Sequence, residues 1–163
     1  MRNRMQVTNY YYAVSQLPQL NYPAFKFKVS QLGDRLRIWD SCRGQWLVLT
    51  PEEWVRQNTI RFFIEYCGFG QAMISQECPV HVEGTKQRAD IVVYGSDARP
   101  MILVECKAPD VDINADVFRQ VVRYNAILQA QYIVVTNGLK HFIHEREEDG
   151  RYTALPKFPW FDS

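Results

Sequence analysis

Histidine is scarce in this chain and cysteine is scattered. The three histidines, His81, His141 and His144, are not spaced as a metal cluster, and no H-E-x-x-H run occurs. His141 and His144 fall in a late strand-like segment and are expected on the surface. The four cysteines, Cys42, Cys67, Cys78 and Cys106, contain no C-x-x-C pair. That excludes the usual zinc and redox spacings and leaves reduced thiols of a cytoplasmic protein. No run reaches the roughly 18 apolar residues of a membrane span. The opening M-R-N-R-M-Q-V-T-N-Y-Y-Y lacks the apolar centre of a signal peptide. There is no G-x-x-x-x-G-K-[ST] phosphate loop and no G-x-S-x-G elbow, so neither a recognisable ATPase motor nor a serine hydrolase is encoded in these residues. An excess of one charge is missing too. A net charge of +1 excludes a histone-like polycation but leaves room for a local basic groove. Repeats and low-complexity tracts are absent.

What remains is an ordinary globular composition. The length of 163 residues suits one domain with a real core, at 47% hydrophobic and 23% charged residues. Before about Phe25 the pattern is irregular, broken by Pro18 and Pro23, and Tyr10 to Tyr12 are expected to pack this arm onto the body. From Phe25 the residues alternate (F-K-F-K-V), turn at Gly33-Asp34, and return as R-L-R-I-W-D. A third strand, W-L-V-L-T, follows Arg43-Gly44. Thr50 then caps a helix over about 51–67, with Pro51 at its first position, Glu53 completing a capping box, and Gly68 stopping it. Its apolar stripe is Val55, Phe62, Phe63 and Tyr66, with Thr59 between them.

A strand over 73–82 carries Pro79, which suggests an edge or a bulge. A second helix over about 115–130, capped by Asn114, has the stripe Val117, Val121, Tyr124 and Leu128. The apolar run Y-I-V-V-T at 132–136 fits a strand buried on both faces, and Asn137-Gly138 turns it back into 140–145. The tail after Arg146 is either loosely ordered or covers an exposed edge. This order predicts an α/β sandwich: a mixed central β-sheet flanked by helices, with an N-terminal β-hairpin extension.

Residues 88–107 stand out. R-A-D-I-V-V-Y and M-I-L-V-E-C-K flank a polar loop, G-S-D-A-R-P. Alternation puts Met101, Leu103, Glu105 and Lys107 on one face, and Ile102, Val104 and Cys106 on the other, in packing. If Tyr94 pairs with Met101, the same register sets Asp90 opposite Glu105, with Cα atoms about 5 Å apart. Two carboxylates so placed repel, and apolar neighbours raise the cost of keeping both charged. A divalent cation would relieve that conflict. Equally, Glu105 and Lys107 read as an exposed ion pair on an amphipathic strand, and Asp90 as a turn residue.

With these motifs in order, the chain resembles the PD-(D/E)XK nuclease superfamily, and within it the N-terminal nuclease domain of type I restriction enzyme R subunits, including short standalone relatives. The likeness rests on T-P-E-E-W-V-R-Q at 50–57, R-A-D-I-V-V-Y at 88–94, L-V-E-C-K at 103–107, Q-V-V-R-Y at 120–124, V-T-N-G at 135–138 and the leading L-P-x-L-N at 17–21. It implies a restriction-endonuclease-like core over 51–145, with residues 1–50 as an extension of the same domain and 146–163 as a tail. It implies Mg²⁺ (or Mn²⁺) held by Asp90 and Glu105, with Cys106 beside them in the metal set, and Lys107 assisting the attacking water. An acidic residue of the first helix, Glu52 or Glu53, joins the catalytic group. Glu52 borders the buried face, whereas Glu53 already has a cap to form. Gln120 and Tyr124 match the Q-x-x-x-Y motif of this branch, which supports the site or contacts DNA. Lys86, Arg88, Arg119 and Arg123 are candidates for phosphate contacts. Ala89 stands where the strict pattern has proline.

The implied activity is a Mg²⁺-dependent DNA endonuclease in restriction or DNA processing. Two alternatives stand beside it: a catalytically silent module that binds DNA or assembles with restriction subunits, and an RNA-directed or structure-specific nuclease. The partners this implies are DNA, other restriction-system subunits and a second copy of the chain, with no membrane.

Overall fold

In a computed structural model the chain is described over residues 16–160. The expected packing of Tyr10 to Tyr12 lies outside those residues. A small antiparallel sheet comes first, in the order β1 (Val29–Leu32), β2 (Arg35–Asp40), β3 (Gln45–Val48). Its first strand starts at Val29 rather than Phe25; residues 25–28 are outside the strand, although the Trp39 N–H still donates to the Lys28 carbonyl at 2.9 Å. Helix α1 (Pro51–Glu65) follows, then a single 3-10 turn (Gln71–Met73). The main sheet runs β4 (Ile74–Val82), β5 (Thr85–Tyr94), β6 (Pro100–Cys106), β7 (Tyr132–Thr136), β8 (His141–Arg146), β9 (Tyr152–Leu155), with neighbours in sequence order. All pairs are antiparallel except β6 with β7. A parallel pair needs a long crossover, and helix α2 (Ala115–Leu128) supplies it.

The sheet separates two cores. On one side α1 packs Val55, Ile60, Phe62 and Phe63 against Ile91, Val93, Ile102, Val104, Cys106 and Val134. On the other α2 packs Val121 and Tyr124 against Val92, Leu103, Ile133 and Val135. Both faces of β6 and β7 are therefore dry, which is why their sequences read as continuous apolar runs. Helix α2 has one apolar stripe, as its spacing predicts, and Asn114 accepts from the Asp116 and Val117 N–H groups at 3.0 and 3.2 Å. Helix α1 differs. Its second side meets Leu20, Phe27 and Ile38 around Trp54, and Arg56, Gln57 and Asn58 are buried as well, Arg56 among carboxylates of β4 and β5, whereas Tyr66 of the expected stripe is exposed. Each large apolar side chain buried here contributes about 1.5–3 kcal/mol.

Several expectations need correction. The Thr50 hydroxyl accepts from the Glu53 N–H at 3.0 Å, but the return half of the capping box does not form. The Thr50 N–H donates to Val48, and the Glu53 carboxylate turns to Gln57 and Arg56. The tail joins the sheet as edge strand β9 and places Phe158 in the α1 core. Pro79 does lie on an edge strand, β4. His141 is not a free surface residue: its ring bonds the Thr136 hydroxyl at 2.8 Å and the Asn21 carbonyl at 3.0 Å.

A strap at residues 17–22 crosses the end of β7. Asn21 N–H donates to Gly138 at 2.7 Å, Trp54 Nε1 donates to the Pro18 carbonyl at 3.0 Å, and Tyr22 bonds Thr59 at 2.8 Å. Gly138 has a φ of +82°, and a Cβ there would lie 2.7 Å from Leu20 Cδ2, so glycine is required on both counts.

Candidate active site

The β5–β6 register is the one the sequence predicts over its core: Ile91 pairs with Val104, Val92 with Leu103 and Val93 with Ile102. A bulge then shifts the loop end, so Tyr94 meets Pro100 and not Met101. The bulge also turns Met101 into the α1 core beside Ile102, away from the Leu103 side. The slip falls on the loop side; at the other end the ladder stops at Ile91–Val104, and Asp90 and Glu105 are the next residues of the two strands.

Asp90 sits at a second irregularity. Gln76 pairs with Ile91 and Cys78 with Ala89, leaving Glu77 unpaired between them with a φ of 50°. Face alternation breaks at the same point, since Ala89 and Val92 lie in the α2 core while Ile91 and Val93 lie in the α1 core. The break lets the Asp90 carboxylate face both its neighbour strand and α1. Its Oδ2 accepts from the Cys106 N–H at 2.7 Å, and its Oδ1 accepts from Arg56 Nη2 at 3.3 Å.

Glu105 is buried. One carboxylate oxygen accepts from Lys107 Nζ at 3.0 Å; the other, Oε2, is buried with no donor. The two carboxyls lie close enough for each to feel the other's charge. Burial, then the Asp90 charge, pushes Glu105 up to about 7 against the pull of Lys107. Burial also raises Asp90, although the Cys106 N–H and the Arg56 and Lys107 charges oppose it. Both carboxyls thus favour their protonated form. Burial opposes the Lys107 ammonium, but Glu105 outweighs it and holds the amine above its ordinary range.

Glu52, half-exposed at the start of α1, borders the same site. Burial and then the Asp90 charge raise its carboxyl, and Lys107 and Arg56 lower it. Glu53 is instead buried, accepting from Gln57 at 2.9 Å and pairing with Arg56 at 3.2 Å. Of the two helix acids, Glu52 is therefore the one electrostatically tied to Asp90, Glu105 and Lys107. The Cys106 thiol points into the α1 core, where burial raises it well above its ordinary value. A protonated thiol in an apolar core is no ligand, so only the main chain of Cys106 can serve.

Gln120 and Tyr124 do meet: Gln120 Nε2 donates to the Tyr124 hydroxyl at 2.9 Å, and that hydroxyl donates to Gln87 at 3.3 Å. Their hydrogen bonds run to each other and to β5, and none reaches Asp90, Glu105 or Lys107. Lys86 is exposed, and Arg88, also exposed, lies 3.9 Å from Glu77. Arg119 pairs with Asp116 and, with Arg123, lines a different cleft beside Tyr152.

Sequence reasoning missed Arg56 as a site residue. Its guanidinium is 8% exposed and lies within 4 Å of four carboxylates: Glu53 at 3.2 Å, Asp90 at 3.3 Å, Glu77 at 3.6 Å and Glu52 at 3.8 Å. Glu77 extends the network to Arg43 at 2.6 Å, and Arg43 holds the fully buried Asp40 of β2 at 2.7 Å. The available signal was spacing, since Arg56 follows Glu52 by four residues and Glu53 by three on one helix.

A family model for the type I restriction enzyme R protein N terminus matches residues 51–159. The chain belongs to that family. The match takes in α1, all of the main sheet and α2, and so Glu52, Glu53, Arg56, Asp90, Glu105, Lys107, Gln120 and Tyr124. A comparison with curated proteins found no match. Among solved structures, a fragment described as an HsdR subunit of a type I restriction enzyme from Vibrio vulnificus YJ016 aligns at 25% identity and a TM-score of 0.39. The alignment covers 53% of this chain and 18% of that one.

As an R protein N-terminal domain, the chain carries two adjoining carboxylates with a lysine. Among its described residues no three His, Cys, Asp or Glu side chains converge to cage an ion. The donor set instead fits a partial shell: hard oxygen from Asp90 and Glu105, one carboxylate oxygen lacking any donor, and a third acid at the rim. Mg²⁺ favours such sites, because it retains waters and takes the rest of its ligands from substrate.

Proposed function

We propose that this R protein N-terminal domain is a metal-dependent deoxyribonuclease of the PD-(D/E)XK type. The observation that carries the reading is the donorless, buried oxygen of Glu105 beside Asp90, with Lys107 3.0 Å from the other Glu105 oxygen. Asp90, Glu105 and the main chain of Cys106 would hold Mg²⁺ or Mn²⁺, with Glu52 reaching in from the rim. When bound, such an ion polarises a phosphodiester and lowers the pKa of a coordinated water. Lys107 supplies a fixed positive charge where negative charge grows on the phosphate. Arg56 orients Asp90 from behind and does not face substrate, since it is buried among carboxylates. Family membership supports DNA as the substrate and a multi-subunit restriction system as the setting.

The test is nicking of supercoiled plasmid by the purified chain with Mg²⁺ or Mn²⁺. Asp90→Ala and Lys107→Ala should each abolish cutting while retaining the wild-type circular dichroism spectrum. Wild-type cutting by both variants would end the assignment. A second reading, a silent module that binds DNA or partner subunits, is favoured by Arg56 and Lys107, which already balance part of the acidic charge. Calorimetric titration with Mn²⁺ separates the two, since a silent module would take up no ion at Asp90 and Glu105.

A further inference from the structure

Away from the acidic site, the small sheet and α1 enclose a cleft of about 420 Å³. Its polar lining is Lys26, Lys28, Ser41, Gln57 and Arg61, and Trp39 forms an aromatic wall. Lys26 and Lys28 are exposed, and neither makes an ion pair among the described residues. Arg61 is fixed in place: it donates to the Lys26 carbonyl at 3.0 Å, pairs with Glu65 at 3.1 Å and stacks 5.6 Å from the Phe27 ring centre. Trp39 is held edge-on to Trp46 at 5.4 Å, and Arg37 covers Trp46 at 5.3 Å. Of the three cations that line the cleft, Arg61 is paired with Glu65, whereas Lys26 and Lys28 carry no ion pair, so the two lysines give the cleft its net positive charge although the whole chain is near neutral.

We propose that this cleft is a binding groove for a single strand of nucleic acid. Lys26 and Lys28 sit two residues apart in extended chain, a spacing of about 6–7 Å. That suits successive phosphates of one backbone. Charged tracks interleaved with an aromatic face are how proteins hold single strands without reading sequence: cations follow the phosphates and a base stacks on the ring.

The cleft lies close to the acids. Gln57 lines it and donates to Glu53, Glu53 pairs with Arg56, and Arg56 pairs with Asp90, so a buried polar relay along one turn of α1 links the groove to the candidate cutting site. The proposal rests on the nuclease reading for its purpose, namely holding an unpaired strand beside the cutting site, but not for its chemistry.

The experiment is fluorescence anisotropy of labelled oligothymidine with the full chain in EDTA, where no cutting occurs. Binding should be salt-sensitive. Lys26→Gln with Lys28→Gln should weaken it at least ten-fold and flatten the salt slope by about 1.4, the value for two lost phosphate contacts on a single strand. Trp39→Leu should weaken it about ten-fold through lost stacking, and circular dichroism and urea melts check that each variant is folded. Wild-type affinity in the folded lysine variant overturns the groove, as does a loss of blunt-duplex binding in that variant as large as its loss of oligothymidine binding. If the lysine variant binds normally while Asp90→Ala still abolishes cutting, the groove falls and the nuclease reading stands. If binding is lost in the lysine variant, the groove stands whatever Asp90→Ala does.

Discussion

Replacing Glu105 with Gln should stabilise the metal-free protein at pH 8 and do little at pH 4. Glu105 is buried beside Asp90, and its folded pKa is pushed up to about 7 from 4.5. A carboxyl raised on folding favours the native state while it is protonated. Its contribution is complete below about pH 4.5 and is lost as pH rises through about 7. Over that interval the charged form costs roughly 3 kcal/mol, at about 1.4 kcal/mol per unit. Glutamine removes that cost, and its amide oxygen can go on accepting from Lys107. The pull of Lys107 is already contained in the raised value, so the net gain is at most about 3 kcal/mol at pH 8. Urea unfolding in EDTA at pH 8 and near pH 4, on both proteins, reads it directly. Adding Mg²⁺ at pH 8 should then stabilise the wild type and leave Glu105→Gln nearly unchanged, because an ion that binds only the folded state adds to its stability. A variant equally destabilised at both pH values would refute the reasoning, showing that Glu105 is settled as an ordinary ion-pair partner of Lys107.

Arg56→Met should destabilise by about 3–5 kcal/mol, since it strips the cation from buried Asp90 and Glu53. Arg56→Lys should recover only part, because one ammonium cannot span both carboxylates; urea midpoints within error of wild type for Arg56→Met would remove Arg56 from its central place. Gly138→Ala should cost about 1–2 kcal/mol for a left-handed residue with a side chain and a further ~1–3 kcal/mol for overpacking against Leu20 and Val55. Gly84→Ala, at a φ of +77° in open space, should show the first cost alone; equal losses at the two positions would mean that the strap gives way freely.

How far these features could be read beforehand depends on the range of the forces involved. The register of β5 on β6 was legible because two short apolar runs flank one polar loop, and a slip of one residue would turn both inside out. The bulge at Tyr94 was not, since it depends on how the turn closes, with Gly95 N–H donating to Arg99 at 2.8 Å. The caps Thr50 and Asn114 are local bonds and announced themselves. Arg56 did not. On an isolated helix an arginine four residues after a glutamate reads as solvated, and only β4 and β5, later in the sequence, bring Glu77 and Asp90 against it. Strand β9 was hidden for a related reason: a four-residue edge strand beside prolines carries little pattern of its own.

The irregularities converge on the acids. Asp90 lies where the β4–β5 ladder skips, and Glu77, opposite the skip, adopts a left-handed backbone. A regular ladder would carry the Asp90 side chain to the α2 face, away from Arg56. The skip costs ladder hydrogen bonds and about 1–3 kcal/mol of backbone strain. What offsets it is the charge network that the skip permits, with Glu77 reaching Arg43 and Arg56, and Arg56 reaching Asp90. Through Arg43 and Asp40 that network ties the small sheet to the acid pair. The extension and the core are therefore coupled electrostatically as well as by packing. A strand bound at Lys26 and Lys28 would load the same helix that positions Asp90, so the groove and the acids should respond to each other even though no residue lines both.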